Sequence, residues 1–455
     1  MADSHADSQT SHAASHTALL LTPQGWAFLG SLPPYDPDRV LELAQRLRSE
    51  GHSPALVAAA LTQQRLRARA AAKFGPFADS MLFTPEALEQ ATRLEVAARH
   101  AARYAAAGVR RVADLGCGIG GDAIALAGLD LPVLAVERDE ATAALATVNL
   151  MHFPHAEVRC ADALEVDLEG AGVDAVFADP ARRAQGRRSI DPEQWSPPLS
   201  GVLALRERIP ALGVKVAPGI DHALLPSEAH VQWVSVDGQL VEAGIWCGPL
   251  AVEGRGRSAL LLQSQASGEM RAITLSDPAV KDPSQPPEQA ECMDSPGALA
   301  ELIHEPDGAA IRAGLVSYLA QALGARPVAP RIAYLTGDAV PEAPVAPFLR
   351  SWRVTEVLPL RLKVLRARVR ERGIGRLEIR KRGVEVSPEA LRASLRLSGE
   401  AGETWILTRL GPDAKGAVVV AEPLTGPNPL QAEEAHGAGA PPPYPPTPTA
   451  TTSAS

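Results

Sequence analysis

The sequence predicts an α/β protein in which a mostly parallel sheet is preceded by a helical region and followed by a small α+β unit. Three observations predict it. From about residue 109 to 263 short apolar runs alternate with helical patterns, as expected of strands joined by helices that cover the sheet faces. Before that stretch apolar residues recur at spacings of three and four; after it a proline-rich passage leads into basic, alternating segments. At 455 residues the chain exceeds one ordinary domain, so two or three folded units with tails are expected.

Residues 1–20 ("MADSHADSQTSHAASHTALL") are polar and rich in Ser, His and Ala, lack the basic start of a secretory signal, and are expected to be disordered. Residues 21–108 read as helices in "DRVLELAQRLRSE", "PALVAAALTQQRLRARAAAKF" and "TPEALEQATRLEVAARHAARYAAAG", with Thr84 before Pro85 as a helix start and Gly108 as a stop. Residues 109–263 form the sheet domain, and 264–295, with "SDPAVKDPSQPPEQAECMDSP", read as a linker. A connecting α/β segment over 296–349 precedes a small α+β domain over 350–424. The tail at 425–455 ends in "PPPYPPTPTATTSAS" and has no means of building a core.

No apolar run approaches the roughly 20 residues that span a bilayer, so a soluble protein with no membrane partner is expected. Cys117, Cys160, Cys247 and Cys292 are far apart and form no C-x-x-C pair. Neither a zinc site nor a disulfide framework is indicated, no metal is expected, and a reducing cytoplasm fits. Cys117 and Cys160 read as small buried residues. The net charge of -9 hides an asymmetry, because residues 350–410 hold 15 Lys/Arg against 7 Asp/Glu. That segment alone suits a polyanion.

The chemistry lies at the ends of the apolar runs. In "RRVADLGCGIGGDAIALA" a strand leads through Gly116, Gly118, Gly120 and Gly121 into a helix beginning near Asp122. Glycines let the backbone approach a ligand closely, and a helix start offers free N–H groups, so a nucleotide-like cofactor is implied. Gly116, Gly118 and Gly121 also satisfy the dinucleotide pattern, and context has to choose. Asp114, two residues before the first glycine, suits a cationic ligand and would repel a pyrophosphate. Glu137, ending "PVLAVE", can accept from ribose hydroxyls or simply be solvated. Asp162, after "AEVRCA", can accept from an adenine amino group or cap a helix. The next run ends in "ADPARR", carrying Asp179 and Pro180.

This order of acids and glycines resembles the class I S-adenosylmethionine-dependent methyltransferases over about residues 109–250. The wider chain, with "LEQATRLEVAARHAARY", "GVKVAPGID" and "LRERGIGRLEIRKRGVEVSPEALRASLRLSG", resembles bacterial methyltransferases with a C-terminal THUMP-like domain. The resemblance implies a Rossmann-like sheet, S-adenosyl-L-methionine as cofactor, and Asp114, Gly116, Gly118, Gly120, Glu137 and Asp162 around it. THUMP domains proper are RNA-binding modules, so RNA is the implied partner. A protein or small-molecule substrate, or an RNA-binding protein that retains the fold without turnover, are the alternatives.

By the same likeness Asp179 and Pro180 stand beside the transferred methyl group. Amino-group methyltransferases carry Asp/Asn-Pro-Pro-aromatic there, whereas this chain has Ala181 and Arg182, so the aromatic platform is missing. An arginine can stack on a base or grip phosphate in a bidentate way. Arg182 and Arg183, within a loop that also holds Arg187 and Arg188, are therefore candidate substrate contacts. Lys215, unusual inside a buried-looking strand, either reaches the site or snorkels outward. Arg380 and Arg382 are candidate RNA contacts in the basic segment.

Overall fold

The computed structural model describes residues 17–184 and 187–424, with the side chains of residues 183–188 outside the description. The chain divides into two compact units, Met1–Pro286 and Pro287–Ser455.

The first unit begins with helices, three of which start at Thr-Pro or Ser-Pro. Thr22, Ser53 and Thr84 accept with their side chains from the amides of Gly25, Leu56 and Ala87, and the following proline gives up an amide that would lack a partner. The single helix expected from Thr84 onward is instead two, Pro85–Gln90 and Leu94–Ala106. The reason is tertiary: Lys73 Nζ donates to the carbonyls of Leu88, Glu89 and Ala91 at 2.7, 2.8 and 2.9 Å and ends the first helix. The turn between them carries Thr92.

The sheet comprises β1 (Val112–Leu115), β2 (Val133–Glu137), β3 (Ala156–Cys160), β4 (Ala175–Ala178), β7 (Ala211–Val216), β8 (His230–Val236), β9 (Gln239–Trp246), β10 (Gly256–Ser264) and β11 (Met270–Ser276). A two-stranded ribbon, β5 (Arg183–Ala184) and β6 (Arg187–Arg188), lies apart from it. The strand order is β11-β10-β8-β9-β7-β4-β1-β2-β3, with β3, β2, β1, β4 and β7 running parallel. β1, β4 and β7 are buried along their whole length, which is why they read as apolar runs, interrupted only by Asp114 in β1 and Lys215 in β7. At Asp237-Gly238, with φ of 49° and 77°, the chain reverses and lays β9 antiparallel between β7 and β8. The passage expected as a linker from residue 264 holds β11, an edge strand paired with β10. It exposes Ala272, Thr274 and Ser276, small residues that give no strong strand signal. Cys160 is exposed at the end of edge strand β3, against the burial expected of it; Cys117 is buried.

The strand order reverses between β1 and β4, so a crevice opens at their carboxyl ends. Tyr104, on the helix Leu94–Ala106, donates to the Val176 carbonyl at 2.7 Å and packs over Gly213, where any Cβ would overlap its hydroxyl. The helix is thereby seated directly on β4 and β7.

In the second unit a seven-stranded sheet contains β12 (Leu302–Pro306), β13 (Arg326–Ala329), β14 (Ile332–Gly337), β15 (Leu349–Pro359), β16 (Ile374–Lys381), β17 (Ala401–Leu410) and β18 (Lys415–Pro423), in the order β13-β14-β12-β15-β18-β17-β16. The segments expected as a connector and as a separate basic domain thus share one sheet. Alternation along β17 and β18 separates two cores, one around Tyr334, Trp352, Ile406 and Val419, the other around Leu365, Val369, Trp405 and Val418. Among the described residues no helix is long and apolar enough to cross a membrane.

Candidate active site

A cavity of about 940 Å³ opens at the carboxyl ends of the central strands, a size typical of small-molecule sites. The turn after β1 forms one wall. Gly116, Gly118 and Gly120 have φ of 80°, 56° and 88°, the left-handed region that disfavours side chains. The amides of Gly116 and Cys117 donate to the Val136 carbonyl at 2.9 and 3.0 Å, pinning the turn to β2. A Cβ on Gly118 would meet nothing within 4 Å, so this glycine leaves the wall open. Gly120 differs: its Cβ would stand 3.5 Å from Leu150, and the residue lies behind the cavity wall, shaping the start of the helix Gly121–Ala127.

Four acids stand at or just beyond the carboxyl ends of the strands. Glu137 accepts from the Gly118 amide at 3.1 Å and the Asp139 amide at 2.9 Å, one bond per carboxylate oxygen. Asp162 accepts from the Leu164 amide at 2.9 Å, an Asx turn and not a helix cap, and lines the cavity beside Ala163. Asp114 lies beneath the wall at 1% exposure, and neither of its carboxylate oxygens has a hydrogen-bond partner among the described residues. Burial, and next to it the charges of Asp122 and Asp179, push the Asp114 acid well above the usual carboxylate range, with Lys215 opposing. Asp179, followed by Pro180, faces the cavity with its side chain 31% exposed.

Lys215 turns inward. From β7 its ammonium donates to Asp179 Oδ2 at 2.6 Å and to Thr92 Oγ1 at 2.7 Å. Burial alone would lower its pKa, but Asp179, Glu242 and Asp122 outweigh that and raise it. Burial raises the acid of Asp179, and Lys215 offsets part of the rise. Arg182 lines the cavity, half-buried. The side chains of Arg183, Arg187 and Arg188 lie outside the described residues.

Behind Asp179 and Lys215 runs a buried polar network that sequence reading missed. Thr92 Oγ1 donates to Asp122 Oδ2 at 2.7 Å; Asp122 Oδ1 lies 2.9 Å from His100 Nδ1; His100 Nε2 lies 2.7 Å from Glu242 Oε1. A ring nitrogen facing a carboxylate on each side has to donate on each side, so His100 is an imidazolium. Burial disfavours that charge, yet Glu242 and Asp122 together hold its pKa up at about 10. Burial would raise the acid of Asp122, but His100, Lys215 and Thr92 keep it below its ordinary value. One signal was visible: His100 falls at helical spacing among Val96, Ala97, Ala101 and Tyr104, a polar residue on a buried stripe.

Residues 349–423 match the THUMP domain-like family, and residues 14–70 match a family described only as a domain of unknown function. Two strains of Mycobacterium tuberculosis each carry an uncharacterized S-adenosylmethionine-dependent methyltransferase 36% identical to this chain over 375 residues, or 80% of this chain and 95% of the relative. A crystal structure from Porphyromonas gingivalis W83, named for methyltransferase activity, superposes with a TM-score of 0.60 at 19% identity, covering 86% of this chain and 100% of that one. The latter likeness is one of fold.

Proposed function

The chain belongs to the S-adenosylmethionine-dependent methyltransferases, with S-adenosylmethionine as its cofactor, and from that premise we propose that it methylates RNA in the cavity at Asp179-Pro180. The residues present suit the cofactor. A carboxylate such as that of Asp114, buried without a donor, is costly unless a cation compensates it, and the cofactor brings an ammonium and a sulfonium. Glu137 and Asp162 keep lone pairs for ribose hydroxyls and an adenine amine, and the open face at Gly118 lets the ligand reach the backbone. When bound, the cofactor supplies an electrophilic methyl group.

This chain's own part is to hold the acceptor. Asp179 has one oxygen committed to Lys215, which leaves Oδ1 to accept from the acceptor and orient its lone pair. Arg182, and Arg183 beside it, are proposed to contact phosphate or base.

The observation that carries RNA as the substrate is which cations of the second unit are left uncompensated. Arg368 pairs with Glu356 and Glu403, Arg372 with Glu403, and Arg380 and Arg382 both with Glu305. Arg380 also covers Trp352 and Arg382 covers Tyr334, with guanidinium carbons 5.0 and 5.6 Å from the ring centres. These two arginines, expected as RNA contacts, are thus engaged within the fold. Lys363, Arg366 and Arg370 share one exposed face of the helix Leu362–Arg372, opposite buried Leu365 and Val369, and Arg396 is exposed nearby; none of the four makes an ion pair among the described residues. Such a face attracts a phosphate backbone. Comparison of nucleosides by mass spectrometry in RNA from cells with and without the gene tests the reading. Loss of one methylated nucleoside is expected; identical profiles would contradict it.

A further inference from the structure

We infer that Thr92 and His100, from the helical region that precedes the sheet, are positioning residues for methyl transfer, acting on Asp179 through Lys215. The inference rests on Asp179 standing at the acceptor side of the cavity.

The bonds form one unbranched line, Glu242–His100–Asp122–Thr92–Lys215–Asp179, with every link between 2.6 and 2.9 Å. It joins β9, the helix Leu94–Ala106, the helix after the glycine turn, the turn at 91–93, β7 and the end of β4. Five of its members are at most 8% exposed, and only Asp179 opens substantially to the cavity. Along the line charge alternates: anion, cation, anion, hydroxyl, cation, anion.

The hydroxyl is the point of control. A threonine hydroxyl has one proton and two lone pairs. Asp122 can only accept and Lys215 can only donate, so Thr92 has a single arrangement open to it, taking from Lys215 and giving to Asp122. That fixes the ammonium in direction as well as in charge, and with it the Asp179 oxygen it holds. His100 secures the far end, because an imidazolium between Asp122 and Glu242 prevents Asp122 from turning toward Lys215 and replacing Thr92. His100 is itself enclosed by Phe177 and Trp246, whose ring centres lie 5.2 and 5.4 Å away.

In the reaction the acceptor's lone pair forms the new bond to carbon as the carbon–sulfur pair returns to sulfur, and the acceptor's proton leaves to Asp179 or to water. Neither Thr92 nor His100 takes part in that exchange. Their effect is on alignment, to which in-line transfer is sensitive; displacement by about 1 Å costs on the order of 100-fold.

The test uses the full chain with methyl-labelled cofactor and an extract of cells lacking the gene, label being counted separately in RNA, protein and small-molecule fractions. Thr92→Val keeps the volume and removes the hydroxyl; Thr92→Ser keeps the hydroxyl. Thr92→Val should lower the maximal transfer rate by about 100-fold while leaving half-saturation by extract and the calorimetric affinity for S-adenosylhomocysteine near wild type. Thr92→Ser should restore most of the rate, and His100→Gln should resemble Thr92→Val. Should Thr92→Val fail to fold, Thr92→Ala against Thr92→Ser makes the same comparison. A Thr92→Val rate near wild type overturns the inference, as does a Thr92→Ser enzyme no better than Thr92→Val. Asp179→Asn run in parallel separates the two claims: if it transfers normally, the reading of Asp179 is what fails, and label appearing in protein alone would contradict RNA without touching Thr92.

Discussion

Gly116 lies so close to Asp179 that a Cβ on the glycine would stand 3.1 Å from the Asp179 carbonyl oxygen. Two strand ends, one carrying the glycine turn and one the Asp-Pro pair, therefore meet so closely that a methyl group would push the Asp179 backbone aside by a few tenths of an ångström. Gly116→Ala would combine strain at φ 80° with pressure on Asp179, whereas Gly118→Ala would project into open space. We expect Gly116→Ala to reduce transfer more than cofactor affinity, and Gly118→Ala to weaken the cofactor by about tenfold because the backbone can no longer be approached closely. Calorimetry and initial rates on both variants decide it.

Asp114→Asn should separate stability from binding. Its acid is raised in the folded protein, so its contribution to stability is fully present below the unfolded value of about 3.9 and is lost as pH rises toward the folded one. The uncharged isostere removes that penalty at neutral pH. Its Tm should equal or exceed wild type while affinity for S-adenosylhomocysteine falls about tenfold, the cost of removing one charge-assisted hydrogen bond. A lower Tm with unchanged affinity would refute the assignment.

His100 gives the fold an alkaline limit. Its folded pKa of about 10 lies above the unfolded value of about 6.5, so the stabilisation is complete below the latter and disappears as pH rises through the former. Thermal melts between these limits should show wild type losing Tm faster than His100→Gln.

The paired and unpaired arginines predict opposite phenotypes. Replacing Lys363, Arg366 and Arg370 by glutamine should weaken RNA binding and flatten its salt dependence by about 0.7 for each phosphate no longer neutralised, with little change in Tm. Arg380→Ala should lower Tm, because it leaves half-buried Glu305 short of a partner, and should leave the salt slope alone. Fluorescence anisotropy over a salt series, together with thermal melts, checks both.

The parts of this site written locally were legible. Positive φ at Gly116 and Gly118 demands glycine, acids at successive strand ends mark a sheet that binds at its carboxyl edge, and β1, β4 and β7 announce their burial by composition. What could not be read depends on partners far along the chain. Lys215 left its direction open because Asp179 lies 36 residues away and Thr92 lies 123 away. The break before Thr92 has neither glycine nor proline to mark it, since Lys73 enforces it from another helix. Arg380 and Arg382 looked like free charge because Glu305, which pairs with both, comes from a different strand.

The most direct measurement takes RNA from cells lacking the gene, incubates it with methyl-labelled S-adenosylmethionine and either wild type or Asp179→Asn, and resolves the product nucleosides by mass spectrometry. One labelled nucleoside with wild type, and almost none with an Asp179→Asn protein that still binds S-adenosylhomocysteine, is the predicted result. Unlabelled RNA with active wild type, or equal labelling by the variant, would contradict it.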